Sequence, residues 1–449
     1  MARAIRTWTE KSEAVTYLLL LFLITIGINW PALPYNARVA DPIFILLAIA
    51  VLALPRVRWT WQWPDVAVAC YLLGAAPAIL ISADRQQSAM EFVRQLYLVA
   101  IYVIFAIAAR QGLARATGTG LALGGALLSI GGLVVVALTA IGAVSWPLIV
   151  EVVPLPYLGT AIRLRALTAT QAMLACVLTA AVPFAIARCR SDRGRTWCVM
   201  AALMTMAALL TLSHAIAGFA VAVMLAAWPS LSARPGLRLV AVAAVVIVVL
   251  GLNFAATVSI KSISYGGAGY ADASQYYYGV DQQETRIAGA TVIYNVMSYA
   301  RIKQVAWRAF IEHPVAGIGL DRFHSETMRA YADGRLPSHY RVVDPHSTLP
   351  GRMAECGVIG GITLLLLWAA WAAMARQAFA GGDPLAGAAA IALAGLVVSS
   401  LNADIMNFRF VWVLAGLLRG LQEVNGDRDQ SAGAPNASTP LKLHGHAPR

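Results

Sequence analysis

Of the seven histidines in this 449-residue chain, His346 has the most suggestive surroundings. Ser347 follows it, Asp344 stands two residues before it, and a strongly apolar stretch opening on Gly357 and Gly360 begins soon after. An imidazole titrates near pH 6.5, so it can take a proton from a hydroxyl under ordinary conditions. Asp344 could orient that imidazole or act as the base itself. A second set of candidates is cationic. Arg301, Lys303 and Arg308 share one segment, and Arg163 and Arg165 precede an apolar run earlier in the chain. A guanidinium keeps its charge and pairs bidentately with phosphate oxygens. By type alone, the same cations read more readily as contacts to lipid headgroups.

The elements that must position these residues follow from composition. The chain is 59% hydrophobic and 12% charged, against about 25% charged in an ordinary soluble domain. A water-soluble globule of this size could not cover its surface with so few charges. Disorder, collagen and a disulfide scaffold are excluded by the same counts. The reading is an all-α polytopic membrane protein. Apolar runs centred on Phe22, Ala48, Leu72, Val103, Ser129 and Val177, and on Met204, Val221, Val245, Leu365, Ile391 and Val413, predict about twelve transmembrane helices.

With a cytoplasmic N-terminus, the inner connections hold Arg56 and Arg58, Arg110 and Arg115, Arg188 to Arg195, Arg234 and Arg238, Arg376 and Arg419. That is the bias of the positive-inside rule. It accounts for the net charge of +12 without nucleic acid. The first run follows Arg3, Arg6 and Lys11 with no small-x-small cleavage site after it, and reads as a retained span. The five cysteines form no CxxC pair and read as buried thiols.

Four regions result: helices 1–9 over 1–256, a long external loop over 257–356, helices 10–12 over 357–422, and a disordered cytoplasmic tail over 423–449. The loop is too long for a connector and is where function is expected. Its Ser262–Tyr278 part is rich in Gly, Ser and Tyr and reads as irregular backbone. A helix is predicted from Tyr299 to Ile311, with Ile302, Val305, Ala306, Ala309 and Phe310 on one face. It is too short to span and is expected to lie in the outer interface. Pro314 ends it, and Gly317 and Gly319 let the chain fold back. His214 reads as part of a hairpin turn, His313 as structural, and His324 and His339 as ordinary loop residues. Asp427-Arg428-Asp429 and His444-Gly445-His446 read as chance matches in the tail. No Walker, Rossmann or HExxH pattern occurs.

At the His346 segment the sequence resembles the O-antigen ligase family, within the bacterial O-antigen ligase/polymerase superfamily. That family's signature is His, then Asn, Ser or Gln, nine residues, and G-x-x-G. His346-Ser347, nine residues from Thr348 to Cys356, and Gly357-Val358-Ile359-Gly360 fit it without a gap. Glu312-His313-Pro314-Val315-Ala316-Gly317-Ile318-Gly319 is similar to the E-H-P-x-x-G-x-G stretch that precedes it.

The resemblance implies a GT-C-like, metal-independent, inverting glycosyltransferase without cofactor, in the inner membrane of a Gram-negative bacterium. Its active site would face the periplasm, with both termini cytoplasmic. It would move O-antigen from undecaprenyl pyrophosphate to a sugar hydroxyl of lipid A–core, with membrane lipids as its other partners. His346 would be the general base. Arginines would stabilise the leaving pyrophosphate, drawn from Arg163, Arg165, Arg301, Lys303 and Arg308. A family arginine four residues before the tryptophan corresponds to Lys303, counting from Trp307. Arg301 is the choice for that role, and Arg163 and Arg165 stay equal for a second one.

Three rivals remain. An O-antigen polymerase would carry two R-x10-G motifs, of which only Arg308 with Gly319 is found. A protein O-oligosaccharyltransferase would carry a larger C-terminal region. A flippase would place ionisable groups at mid-membrane.

Overall fold

The computed structural model describes residues 2–29, 37–54, 59–155, 159–190, 194–231, 235–265, 282–287, 290–296, 298–336 and 343–433. Arg56, Arg58, Arg193, Arg234, His339, His444 and His446 lie outside the described residues, as does most of the Tyr-rich stretch.

Each of the twelve apolar runs lies in a helix. In chain order these are α1 (Ala2–Thr25), α2 (Ala40–Leu52), α3 (Trp63–Leu73), α4 (Ala76–Ile81), α5 (Arg85–Ala108) and α6 (Ala114–Ala140). Next come α7 (Gln171–Cys189), α8 (Arg195–Leu210), α9 (Ile216–Leu231) and α10 (Pro235–Thr257). After the long loop, which holds α11 (Ser298–Glu312) and α12 (Phe323–Ala332), follow α13 (Thr348–Gly381), α14 (Pro384–Ser399) and α15 (Arg409–Gly433). Among the described residues, five stretches are long and apolar enough to cross a membrane: Trp63–Ile81, Arg85–Ala140, Gln171–Cys189, Gly236–Ala256 and Thr348–Gly381. Shorter apolar helices accompany them. Arg85–Ala140 is kinked between α5 and α6, where Gly112 takes φ 89° inside a π-helical turn at Ala109–Leu113. Only a glycine adopts that backbone without strain.

One end of the helix layer is clamped by buried charge. The Arg419 guanidinium, 1% exposed, reaches Asp65 Oδ2 and Glu423 Oε2, both at 3.0 Å. Arg110 Nε pairs with the same Glu423 oxygen at 3.0 Å, and the Tyr102 hydroxyl donates to Asp65 Oδ1 at 2.7 Å. Arg110 and Arg419, read from the sequence as loop charges, are thus spent on tying α3, the π-helical turn and α15 together.

The opposite end carries the irregular segments. The structure departs from the sequence reading in four ways, three of them here. The Val144–Leu167 segment is a hairpin of β1 (Val150–Leu155) and β2 (Gly159–Leu164), with Glu151 opposite Arg163. The long loop opens as an antiparallel sheet in the order β3 (Val258–Tyr265), β5 (Ala290–Val296), β4 (Gln282–Ile287). So the stretch expected to be irregular begins as a strand, because VSIKSISY alternates apolar with polar residues. Next, α11 does not offer its apolar face to lipid. Ile302, Val305, Ala306 and Ala309 pack with Phe323, Ala330, Leu336 and Ala354 in a small separate core. An amphipathic stripe demands an apolar partner but does not say whether that partner is lipid or protein. Finally, Cys189 and Cys198 are joined as a disulfide across the α7–α8 turn, while Cys70, Cys176 and Cys356 are free. The helical hairpin brings together two cysteines whose spacing carried no motif.

The segment from Pro314 to Gly319 is locked into a break in α13. In an unbroken helix the Val358 and Ile359 N–H groups would bond the Ala354 and Glu355 carbonyls. Here Gly357 takes φ 63° and ψ −159°, a conformation open almost only to glycine. All four groups turn to the neighbouring segment. Ile318 N–H donates to Ala354 and Gly319 N–H to Glu355, each at 3.0 Å, while Val358 N–H donates to Pro314 at 2.7 Å and Ile359 N–H to Val315 at 3.4 Å. Gly317 and Gly319 also take positive φ, at 75° and 108°. A Cβ at Gly357 would land on the Val315 carbonyl, and one at Gly317 on the Glu355–Cys356 peptide. Helix α15, for its part, continues to Gly433, through part of the segment read as tail.

Gly357→Ala should therefore lower thermal stability in detergent by about 2–3 kcal/mol, the cost of a strained backbone plus overlap. Gly361→Ala would meet only the flexible Met353 side chain and should cost less than about 1 kcal/mol. Equal melting shifts for the two variants would mean that the break does not depend on Gly357.

Candidate active site

Ser347 caps α13 in extended backbone, and His346 immediately before it takes φ 50°. Left-handed backbone at a histidine is strained and persists where the surroundings impose it. The surroundings here are specific. Thr348 N–H donates to the Ser400 carbonyl at 3.0 Å, and Thr348 Oγ1 donates to Ala403 O at 3.1 Å while accepting from Ile405 N–H at 3.0 Å. Gly351 leaves room for the Pro345 ring. The turn between α14 and α15 thus grips the Thr348 side of the His346 segment, and α13 packs against the Pro345 side.

The imidazole joins a row of three rings. Tyr299 stacks on His346 at 4.9 Å and 29°, and His214 meets the same tyrosine edge-on at 5.2 Å and 67°. Such pairs add about 0.5–1.5 kcal/mol beyond burial, enough to hold an imidazole plane. His214 sits in the sharp turn from α8 to α9, anchored where Ser399 Oγ donates to the Ala215 carbonyl at 2.9 Å.

Charge around these rings is positive. Burial pushes the His346 imidazole below its ordinary value; Asp344 opposes that shift and Lys303 adds to it. His214 is pushed down by burial, with Arg163 and Lys303 contributing. Lys303 is itself lowered by desolvation, and its Nζ donates to Asn402 Oδ1 at 3.0 Å. Asn402 donates in turn to Asn253 Oδ1 on α10 at 3.0 Å. Tyr299 and Lys303 lie four residues apart on α11 and so share a face. Arg163, at the end of β2, lies 3.6 Å from Glu151 and keeps a buried Nε without a protein partner.

The cationic residues singled out from the sequence therefore separate. Lys303 and Arg163 act on the histidines. Arg165 turns its guanidinium to the Pro147 and Leu148 carbonyls at 3.1 and 3.3 Å. Arg308 is well exposed and pairs with Glu312 at 3.1 Å. Arg301 is partly buried, two residues away from both Tyr299 and Lys303 on the helix. Asp344 is mostly exposed and approaches His324 Nε2 at 3.4 Å. Pro314, Gly317, Gly319, Gly357 and Gly360 form the support behind the site.

Two members of the ring row escaped the sequence reading. Tyr299 was visible only as the first residue of a predicted helix, although its i,i+4 relation to Lys303 was available. His214 was assigned to a turn, which is correct for its backbone and silent about its ring. It stands 132 residues before His346 in sequence, and only folding joins them.

A family model described as O-antigen ligase matches residues 199–365. That span runs from α8 to the far side of the α13 break and holds His214, Tyr299, Lys303 and His346. The match supports membership of the O-antigen ligase family. No curated protein matches it.

The electrostatics give a direct expectation for His346. In an NMR titration of histidine-labelled protein, its imidazole should titrate below the ordinary pH 6.5. Lys303→Met removes a repelling positive charge and should move the midpoint up. Asp344→Asn removes a stabilising negative charge and should move it further down. A midpoint indifferent to both substitutions would show that neither charge is felt at the ring.

Proposed function

We propose that this protein is a membrane glycosyltransferase of the ligase type. It would transfer O-antigen from undecaprenyl pyrophosphate to a sugar hydroxyl of lipid A–core. The observation that carries the reading is the partly buried His346, in strained backbone, stacked on Tyr299 and bordered by the Lys303 charge, with Arg163 acting on His214 at the other end of the ring row. A base beside preorganised cations is what displacement at a glycosyl pyrophosphate requires.

One imidazole nitrogen of His346 takes the proton of the acceptor hydroxyl as its oxygen attacks the anomeric carbon. The bond from that carbon to the pyrophosphate oxygen breaks on the opposite face, so configuration inverts. Lys303 and Arg163 hold the negative charge that grows on the departing lipid pyrophosphate. A lowered imidazole pKa keeps His346 unprotonated and able to act as a base at neutral pH. The cationic pair supplies the charge stabilisation that a metal ion gives in other transferases, so turnover should survive a chelator.

The twelve helical runs are read as twelve crossings in a GT-C-like arrangement, with the His346 end periplasmic in a Gram-negative inner membrane and both termini cytoplasmic. Arg110, Arg115, Arg188, Arg190, Arg195, Arg376 and Arg419 all fall at the other end of the helices, which supports that orientation. The boundaries 1–256, 257–356, 357–422 and 423–449 stay as the working division of the chain.

The test is transfer by purified protein from undecaprenyl-pyrophosphate O-antigen to lipid A–core in EDTA. Wild type should form the glycosylated lipid, and His346→Ala should lose about 10²–10⁴ in rate while still inserting into the membrane. Longer lipid-linked chains as the product would make the enzyme a polymerase, and glycosylated protein would make it a protein oligosaccharyltransferase. Inhibition by EDTA would overturn the metal-free step.

A further inference from the structure

One turn of the chain holds both His346 and the cation felt at its ring. The α14–α15 turn accepts from Thr348 through the Ser400 and Ala403 carbonyls, at 3.0 and 3.1 Å. Between those two residues in the turn stands Asn402, 2% exposed, whose Oδ1 accepts from Lys303 Nζ at 3.0 Å. Lys303 belongs to α11 and His346 to the start of α13. The turn is therefore a third element tied to both.

The Asn402 amide is used at both ends. Its Nδ2 donates to Asn253 Oδ1 at 3.0 Å, and Asn253 Nδ2 donates to the Val249 carbonyl at 2.8 Å within α10. An ammonium can only donate and a carbonyl can only accept. Each amide in the row Lys303, Asn402, Asn253, Val249 is thus oriented from both ends, and turning either one would put like atoms face to face.

The row contains no counter-ion. Among the described residues Lys303 forms no ion pair, and desolvation is what lowers its ammonium. The acid of the same turn, Asp404, accepts instead from the Met406 N–H at 3.2 Å and from Asn407 Nδ2 at 3.0 Å. A neutral amide holds the ammonium by one of its three N–H groups and leaves the charge whole. A carboxylate in that place would pair with the ammonium and cancel much of its effect on a neighbouring group.

We propose that Asn402 is a positioning residue, which sets the Lys303 ammonium in place relative to His346 and keeps its charge uncompensated. The proposal rests on the transfer reading, in which Lys303 meets the charge growing on the leaving pyrophosphate. A cation already aimed and free of a partner costs no reorganisation as that charge develops. Asn402 acts only through Lys303, and Asn253 fixes its amide from the side of α10.

A double-mutant cycle of Asn402→Ala and Lys303→Met on the full chain in detergent tests this, with two readouts. The first is the NMR titration of His346 without substrate. Asn402→Ala lets the ammonium swing away and should raise the midpoint part of the way to the Lys303→Met value. With Lys303→Met already in place it should have no further effect. The second is transfer from the lipid donor. Asn402→Ala should lower kcat roughly tenfold, the scale of one charged hydrogen bond, with the KM for acceptor unchanged. It should add nothing to the loss caused by Lys303→Met. Asn402→Asp is nearly isosteric and keeps the contact while pairing the charge, so it should raise the midpoint and cost at least as much kcat as Asn402→Ala. Additive losses, wild-type turnover in Asn402→Asp, or a midpoint unmoved by Asn402→Ala would each overturn the proposal. A coupled titration in a protein that transfers nothing would uphold the positioning and remove the ligase reading.

Discussion

Everything at the functional end of this protein depends on one interrupted helix. The break at Gly357 frees two carbonyls and two N–H groups in the middle of an apolar helix, where unpaired backbone costs several kcal/mol per group. The Pro314–Gly319 turn satisfies all four. The long loop is thus joined to α13 by backbone hydrogen bonds, which hold position more tightly than side-chain contacts would. Since α11 leads into that turn and His346 immediately precedes α13, Tyr299 and Lys303 are fixed relative to His346 by the same four bonds. Gly317, Gly319 and Gly357 serve this junction.

The same end holds the His346 segment in one conformation. Thr348 is pinned to the α14–α15 turn, and His346 before it takes left-handed backbone. Strain at a single histidine is a small term beside the burial that imposes it. The imidazole is set against Tyr299, with the Lys303 charge felt at the ring.

At the other end, Arg419 with Asp65, Glu423 and Arg110 does a different job. Buried ion pairs often contribute little net stability, but breaking one is costly because it strands the remaining charge. Their value here is to fix which helices meet: α3, α15 and the π-helical turn have few other polar features by which to choose partners.

How much of this was legible in the sequence follows from the range of the forces involved. Apolar runs are local, so all twelve helices were visible, as were the turn at Pro314–Gly319 and the histidine of the candidate site, His346. The His-Ser and G-x-x-G spacing pointed to the family because it is a local record of the helix break. The sequence could not decide between Arg163 and Arg165, or between Arg301 and Lys303, because those choices depend on which way a side chain faces across elements far apart in the chain. Nor could it show that α11 buries its apolar face in protein, that Cys189 meets Cys198, or that His214 joins Tyr299 and His346. Each of these is a long-range contact made only once α8, α11, α13 and the α14–α15 turn have packed. Residue type and local period determine what a segment can be; tertiary packing decides which charges meet, and the electrostatics around His346 rest on that.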